Sequence, residues 1–294
     1  MSDRRGRRAA ARLWCPTDVP GVELLDATYG RHVLARYAPD EFALGVVERG
    51  AAHVTCGGGG ATHLARANHV LLCNPGEVHL ARPAADGGWR VRVLYLEAPA
   101  LDRLAAGRVG ARRPRFTRPL VEDARAAALL RAVHDAFARP APRCECERTL
   151  AGAIGYLLDA HAASSAAPAG PGRRGAERCA VRRAREFLER HAAEQVSLDA
   201  LARVAGLSAY HLAHVFRAEV GVPPHRYLEH ARVRRAKALL RAGLPIAQVA
   251  LEAGFVDQSH FTRRFRLFAG VTPTQYRFGR QDRKPVPNDP RPPR

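Results

Sequence analysis

Ala253-Gly254-Phe255-Val256-Asp257-Gln258-Ser259-His260-Phe261-Thr262-Arg263-Arg264-Phe265-Arg266 runs on into Gly270-Val271-Thr272-Pro273-Thr274-Gln275-Tyr276, and an earlier stretch has the same plan. Upstream, Gly206-Leu207 is followed by Leu212, by Phe216-Arg217, and then by Gly221-Val222-Pro223-Pro224-His225-Arg226-Tyr227. Both copies end in Gly-Val-x-Pro-x-x-Tyr, and the second has one more residue between its turn glycine and its Phe-Arg pair. Two copies are too few for a solenoid, whose stacked units need at least three. They suit a pair of small helical modules.

Each copy spells out two helices and a tight turn. In the first, Ser197 is placed to cap a helix whose Leu198, Leu201, Ala202 and Ala205 fall on one face. Gly206 supplies the left-handed residue at which that helix stops. Ser208 then caps a second helix that buries Leu212, Val215 and Phe216 and leaves Tyr210, His211, His214 and Arg217 outside. In the second copy Pro245 stands at a helix start, Gly254 makes the turn, and Asp257 caps a helix burying Phe261, Phe265 and Phe268. Gln258, Ser259, His260 and Arg263 are left pointing outward, with the hydrogen-bonding tips that base edges require. Helix, glycine turn, helix is the helix-turn-helix plan, whose second helix enters the DNA major groove. Between the copies, residues 226–242 read as one long helix carrying Arg232, Arg234, Arg235 and Lys237. Arg232 and Arg235 are the expected phosphate contacts.

These residues resemble the double-module DNA-binding domain of the AraC-type transcriptional regulators, over residues 197–277. The resemblance implies DNA contacts from Gln258, Ser259, His260 and Arg263 in the second module, and from Tyr210, His214 and Arg217 in the first. Ala213 stands where relatives often carry a polar residue, so the first module is expected to read fewer bases.

The charge fits this partner. The formal net charge is +19, and residues 178–294 hold 22 Lys+Arg against 10 Asp+Glu. A basic excess of that kind attracts nucleic acid. Arginine by itself is a weak witness, since the whole chain is rich in Arg and Ala and holds only Lys237 and Lys284. Six scattered cysteines form no disulfide framework, and the Arg-rich start lacks the apolar segment of a signal peptide. Without an apolar run long enough to span a bilayer, the expectation is a cytoplasmic protein with no membrane partner.

The remaining chain reads as β followed by α. Phe42 to Val47 is a strand with Glu48-Arg49-Gly50 as its turn. Ala52 to Cys56 and Thr62 to Leu64 flank a Gly57–Gly60 hairpin tip, Val70 to Cys73 ends at an Asn74-Pro75-Gly76-Glu77 turn, and Val91 to Leu96 is a last strand. Helices are expected over 119–138 and 147–161, divided by Pro140-Ala141-Pro142. Residues Gly45 to Gly50 and Asn74 to His79 resemble the cupin-type sensor barrel at the N-terminus of many AraC-type regulators. The His-x-His pair of metal-binding cupins is missing, so no metal, no cofactor and no catalytic residue is expected. Phe42, Leu44, Val46, His79, Arg92 and Tyr95 are the candidate walls of a small-molecule site.

The expected architecture is a two-domain α+β protein, a cupin-like β-barrel with helices joined to an all-α domain of two helix-turn-helix modules and a long connecting helix. The boundaries are a basic leader (1–20), a sensing and dimerisation domain (21–162), a linker (163–177), the DNA-binding domain (178–280) and a disordered tail (281–294). The expected function is a sequence-specific regulator of transcription, by resemblance an activator, with double-stranded DNA, a small effector, RNA polymerase and a second protomer as partners. A metal-dependent cupin enzyme tethered to DNA and a ligand-independent DNA binder are the alternatives.

Overall fold

The computed structural model describes residues 10–16, 18–30, 41–56, 61–77, 79–85, 87–105, 114–139, 142–164 and 173–279. Its first half is built from strands β1 (Ala10–Trp14), β2 (Val22–Tyr29), β3 (Phe42–Cys56), β4 (Thr62–Arg66), β5 (His69–Cys73), β6 (His79–Pro83) and β7 (Trp89–Leu96). Helix α1 (Ala98–Leu104), strands β8 (Pro114–Phe116) and β9 (Leu120–Glu122), helices α2 (Ala124–Ala138) and α3 (Arg143–His161), and strand β10 (Ala162–Ser164) complete it. The main sheet runs β1-β2-β7-β3-β5-β9, every pair antiparallel, with β4 and β6 pairing the far end of β3.

Strand β3 corrects one expectation. Glu48-Arg49-Gly50 does not turn the chain back. The register against β7 slips between Val47 and Arg49, and Gly50 adopts φ +76°. A bulge and a left-handed glycine bend a single long strand, so that its start lies in one sheet and its end in the other. The basic leader is corrected as well, since Ala10–Trp14 pairs along β2. The Gly57–Gly60 tip and the tail beyond Gly279 lie outside the described residues.

Alternation along the strands divides the barrel half into two faces. Phe42, Leu44 and Val46 join Leu24, Leu94 and Leu96 under α1, α2 and α3. Ala43 and Val47 point the other way, with Leu25, Tyr29 and Val91. Helix α2 starts at Ala124, five residues later than expected, because Asp123 caps it by accepting from the Ala126 N–H at 2.9 Å. Leu120–Glu122 is drawn instead into pairing with β5. Helix α3 starts four residues early, at Arg143 directly after Pro142.

The second half is entirely helical: α4 (Arg173–Arg190), α5 (Leu198–Ala205), α6 (Ala209–Val220), α7 (Pro224–Arg241), α8 (Ile246–Glu252), α9 (Gln258–Ala269) and α10 (Pro273–Phe278). Helix α4 begins within the stretch read as linker. It closes the first module by packing Leu188 against Leu201, Leu212, Phe216 and Tyr227. The second module is different. Its Phe255, Phe261, Phe265 and Tyr276, with Val233, Ala236 and Leu240 of α7, share one continuous core with Leu25, Tyr29 and Val91 of the barrel half. The backbone joins too, as the Cys15 N–H donates to the Gly279 carbonyl at 3.1 Å. Among the described residues no helix is long and apolar enough to cross a membrane.

Candidate nucleic-acid interface

The two expected turns form as their residues dictate. Ser197 caps α5, accepting from the Ala200 N–H at 3.1 Å, and the helix ends at Gly206 with φ +71°. Ser208 caps α6 through the His211 N–H at 3.3 Å, and Asp257 caps α9 through the His260 N–H at 2.6 Å. Gly254 takes φ +85°, and a side chain there would collide with the Ala193 carbonyl. The repeat thus yields two helix-turn-helix units with α6 and α9 as their second helices.

Buried stripes fix which sides those helices present. Leu212, Val215, Phe216 and Val220 hold α6, while Phe261, Phe265 and Phe268 hold α9. On α6, Tyr210 is 87% exposed, and His214 and Arg217 lie exposed beside it. Gln258, Ser259 and Arg263 are exposed together on α9. Two expected readers are partly engaged elsewhere. His211 lies 3.5 Å from Glu177 of α4, and His260 accepts from the Arg264 Nε at 3.4 Å while its ring meets Phe255 edge-on. Val256 was not expected here, yet it is 73% exposed in the turn just ahead of the Asp257 cap of α9. Its position as the extra residue of the second copy was the available signal.

The two expected phosphate contacts part company. Arg235 is exposed, with its Nε donating to the Glu252 carbonyl at 2.8 Å. Arg232 is buried, and its guanidinium donates to the carbonyls of Ala192 at 2.9 Å and Glu194 at 2.8 Å. It ties α7 to the α4–α5 loop and cannot reach a phosphate. Desolvation lowers its pKa, in keeping with that buried place.

The six candidate sensor walls do not face one cavity. Phe42, Leu44 and Val46 are closed into the helix-side core. Arg92 reaches the same side, donating to Asp135 of α2 at 2.8 Å and lying 3.3 Å from Glu48. This corrects their placement: Phe42, Leu44 and Val46, ahead of the bulge in β3, and Arg92 of β7 take the helix face. Tyr95 packs against the opposite core, its ring 5.7 Å from the Lys237 Nζ, and His79 lies on the Ala81 face of β6. Burial holds the His79 imidazole down to about 4. Among the described residues no three His, Cys, Asp or Glu side chains converge as a metal ion would require.

Sequence reasoning missed the seam between the halves. Glu23 of β2 is buried and accepts from the Lys237 Nζ at 2.9 Å, from the Arg241 guanidinium and from the Tyr276 hydroxyl. Arg241 also donates to Glu97 at 3.0 Å. Burial opposes the charge on Glu23, but Lys237, Arg241 and the hydrogen bonds outweigh it and hold its carboxyl at about 2. A lone Glu in an apolar strand gives no sign of partners more than two hundred residues away. Its only signal was the cost of burying an unpaired carboxylate.

Two family models match the chain: an AraC-like ligand binding domain over residues 19–153 and a helix-turn-helix domain over residues 201–278. The transcriptional activator AarP of Providencia stuartii is 34% identical over 92 residues, which is 31% of this chain and 68% of that protein. The regulator YbfI of Bacillus subtilis is 44% identical over 75 residues, 26% of this chain and 27% of its own length. With the probable regulator LumQ of Photobacterium leiognathi, matched over 38% of its length, the chain thus spans well under two thirds of some relatives. In overall fold the chain is similar to ToxT of Vibrio cholerae O395, with a TM-score of 0.53, 12% identity, and coverage of 92% of this chain and 97% of that one. A ToxT from strain SCE256 was crystallised with an unsaturated fatty acid bound.

Proposed function

The chain belongs to the AraC-type family of transcriptional regulators, and from that premise we propose that it is a sequence-specific DNA-binding regulator whose barrel half answers to a small molecule. The observation that carries the reading is the repeated pair of capped helices, α6 and α9, each with an exposed polar face beside a turn glycine. Gln258, Ser259 and Arg263 read base edges from α9, and Tyr210, His214 and Arg217 do so from α6. His211 and His260 stand behind them and set the helix faces. Arg235 contributes phosphate binding, which gives affinity and salt dependence but not sequence choice. Because α7 is one helix with its ends in both modules, the two reading helices act as a fixed pair. Such a pair suits successive major-groove faces, roughly 34 Å apart.

Regulation follows from the seam. Among the described residues the second module shares its core with the barrel half and the first does not, so a change in the barrel reaches one reading helix before the other. The ligand-binding family match and the fatty acid held by ToxT support a small effector. Activation, contact with RNA polymerase, pairing of protomers through α2 and α3, and a cytoplasmic location complete the proposal. A promoter-reporter assay with the full chain tests it, using the duplex it selects upstream of the reporter. Transcription should change with the chain present and lose that response in Arg263→Ala. An unchanged reporter on a duplex that the chain binds tightly would contradict a regulatory role.

A further inference from the structure

An open cavity of about 380 Å³ lies along the seam. Glu41 and Glu97, with Ala98 and Pro99, wall it from the barrel half, and Arg234, Lys237 and Arg241 wall it from α7. Its size falls within the range of small-molecule sites. Each cation here has a carboxylate partner, but a guanidinium carries five N–H donors, so Arg234 and Arg241 can engage a second anion as well. Lys237 and Arg241 serve Glu23, Arg241 also serves Glu97, and Arg234 serves Glu189.

Glu41 is the exception. It is only 8% exposed, its Oε1 stands 3.8 Å from the Lys237 Nζ, and its Oε2 meets no donor among the described residues. A buried carboxylate oxygen without a donor carries its desolvation cost uncompensated. The group that offsets this best is a charged N–H donor. Across the cavity the α7 cations oppose a second positive charge and favour an anionic end.

We propose that this seam cavity is an effector site for a small zwitterion, its ammonium group seated on Glu41 and its anionic end turned toward Arg234 and Arg241. The site is separate from the barrel interior, and it rests on the regulator reading only in calling the ligand an effector. Since its walls come from both halves, a bound solute favours the docked arrangement of the second module by its differential affinity for that state.

The test is thermal unfolding of the full chain with the protein amino acids and 4-aminobutyrate as probes, and butylamine and butyrate as single-charge controls. At least one zwitterion should raise Tm in the millimolar range, more than either control. Glu41→Gln should leave the Tm of the free protein equal or higher and weaken that binding by about tenfold or more. Ala98→Leu, which narrows the cavity and touches no ion pair, should do the same to binding. The proposal is overturned if no zwitterion shifts Tm, if Glu41→Gln keeps the shift, or if butyrate alone reproduces it. It is equally overturned if Glu41→Gln lowers the Tm of the free protein, since Glu41 would then be a structural partner of Lys237. Selection of a DNA site by the full chain is a separate readout: success there with no zwitterion effect would retire the cavity and leave the regulator reading standing.

Discussion

Glu23 on β2 and Lys237 on α7 stand 214 positions apart in the chain and 2.9 Å apart in the fold. Both side chains are more than nine-tenths buried, so the pair works where water cannot screen it. Arg241 and the Tyr276 hydroxyl complete the carboxylate's shell. The desolvation of two charges is offset only because every partner comes from the second module. The pair therefore fixes where that module docks more than it adds net stability.

Removing one partner should be costly. Glu23→Gln leaves Lys237 and Arg241 facing each other at the seam, and should lower unfolding stability by about 3–5 kcal/mol at neutral pH. Denaturant unfolding checks this, and a loss within experimental error would show that the seam is wet or mobile.

Acid should act through the same carboxyl. Its folded pKa is depressed from 4.5 to about 2, so its contribution is complete above pH 4.5 and is lost as pH falls toward 2. The shift corresponds to roughly 3 kcal/mol. Stability of the native chain should fall across that window, and Glu23→Gln should show a shallower fall. Equal acid slopes in the two proteins would contradict the pairing.

The turn glycines should differ in their tolerance. Gly206 has φ +71°, and a Cβ there would meet only the Arg183 Nη2, at an ordinary 3.5 Å, so Gly206→Ala carries mainly the left-handed backbone cost, about 1–2 kcal/mol. At Gly254, with φ +85°, a Cβ would lie 2.6 Å from the Ala193 carbonyl oxygen, so backbone must also move. Gly254→Ala should cost more than Gly206→Ala in thermal unfolding; the reverse order would show that the two turns are not packed as described.

Three arginines of the helical half should give three distinct phenotypes. Arg263→Ala should cost about 1–3 kcal/mol on the selected duplex and relax base preference at one position. Arg235→Ala should weaken all duplexes alike and reduce the salt slope by about 1. Arg232→Ala should leave the salt slope unchanged and cost about 1.5–3 kcal/mol of stability, since two carbonyls lose a charged donor. Binding titrations at several salt concentrations separate them. A salt slope that changes in Arg232→Ala would return that residue to the DNA face.

The repeat was legible because it is local: caps at Ser208 and Asp257, glycines at 206 and 254 and the phenylalanine stripe all act within a few residues. Helix starts were missed at Asp123, where a short strand competed for Leu120–Glu122, and the bend at Gly50 read as a turn because one glycine serves either use. Arg232 shows a different limit. Charge and helical phase put it beside Arg235, but only the packing of α4 against α7 decides which of them is buried. Phe42, Leu44, Val46 and Arg92 fall on the helix side for the same reason, since strand alternation separates two faces without telling which one the helices cover. The seam between Glu23 and Lys237 depends on contacts across the whole chain, and no local pattern encodes it.

Selection of bound sequences from a random duplex pool, with the full chain at moderate salt, bears most directly on the paired-helix account. It should enrich one site made of two short blocks whose centres lie about one helical turn apart, one block for α6 and one for α9. A pool that stays random would mean that the basic half holds phosphates without reading bases, and would contradict the account.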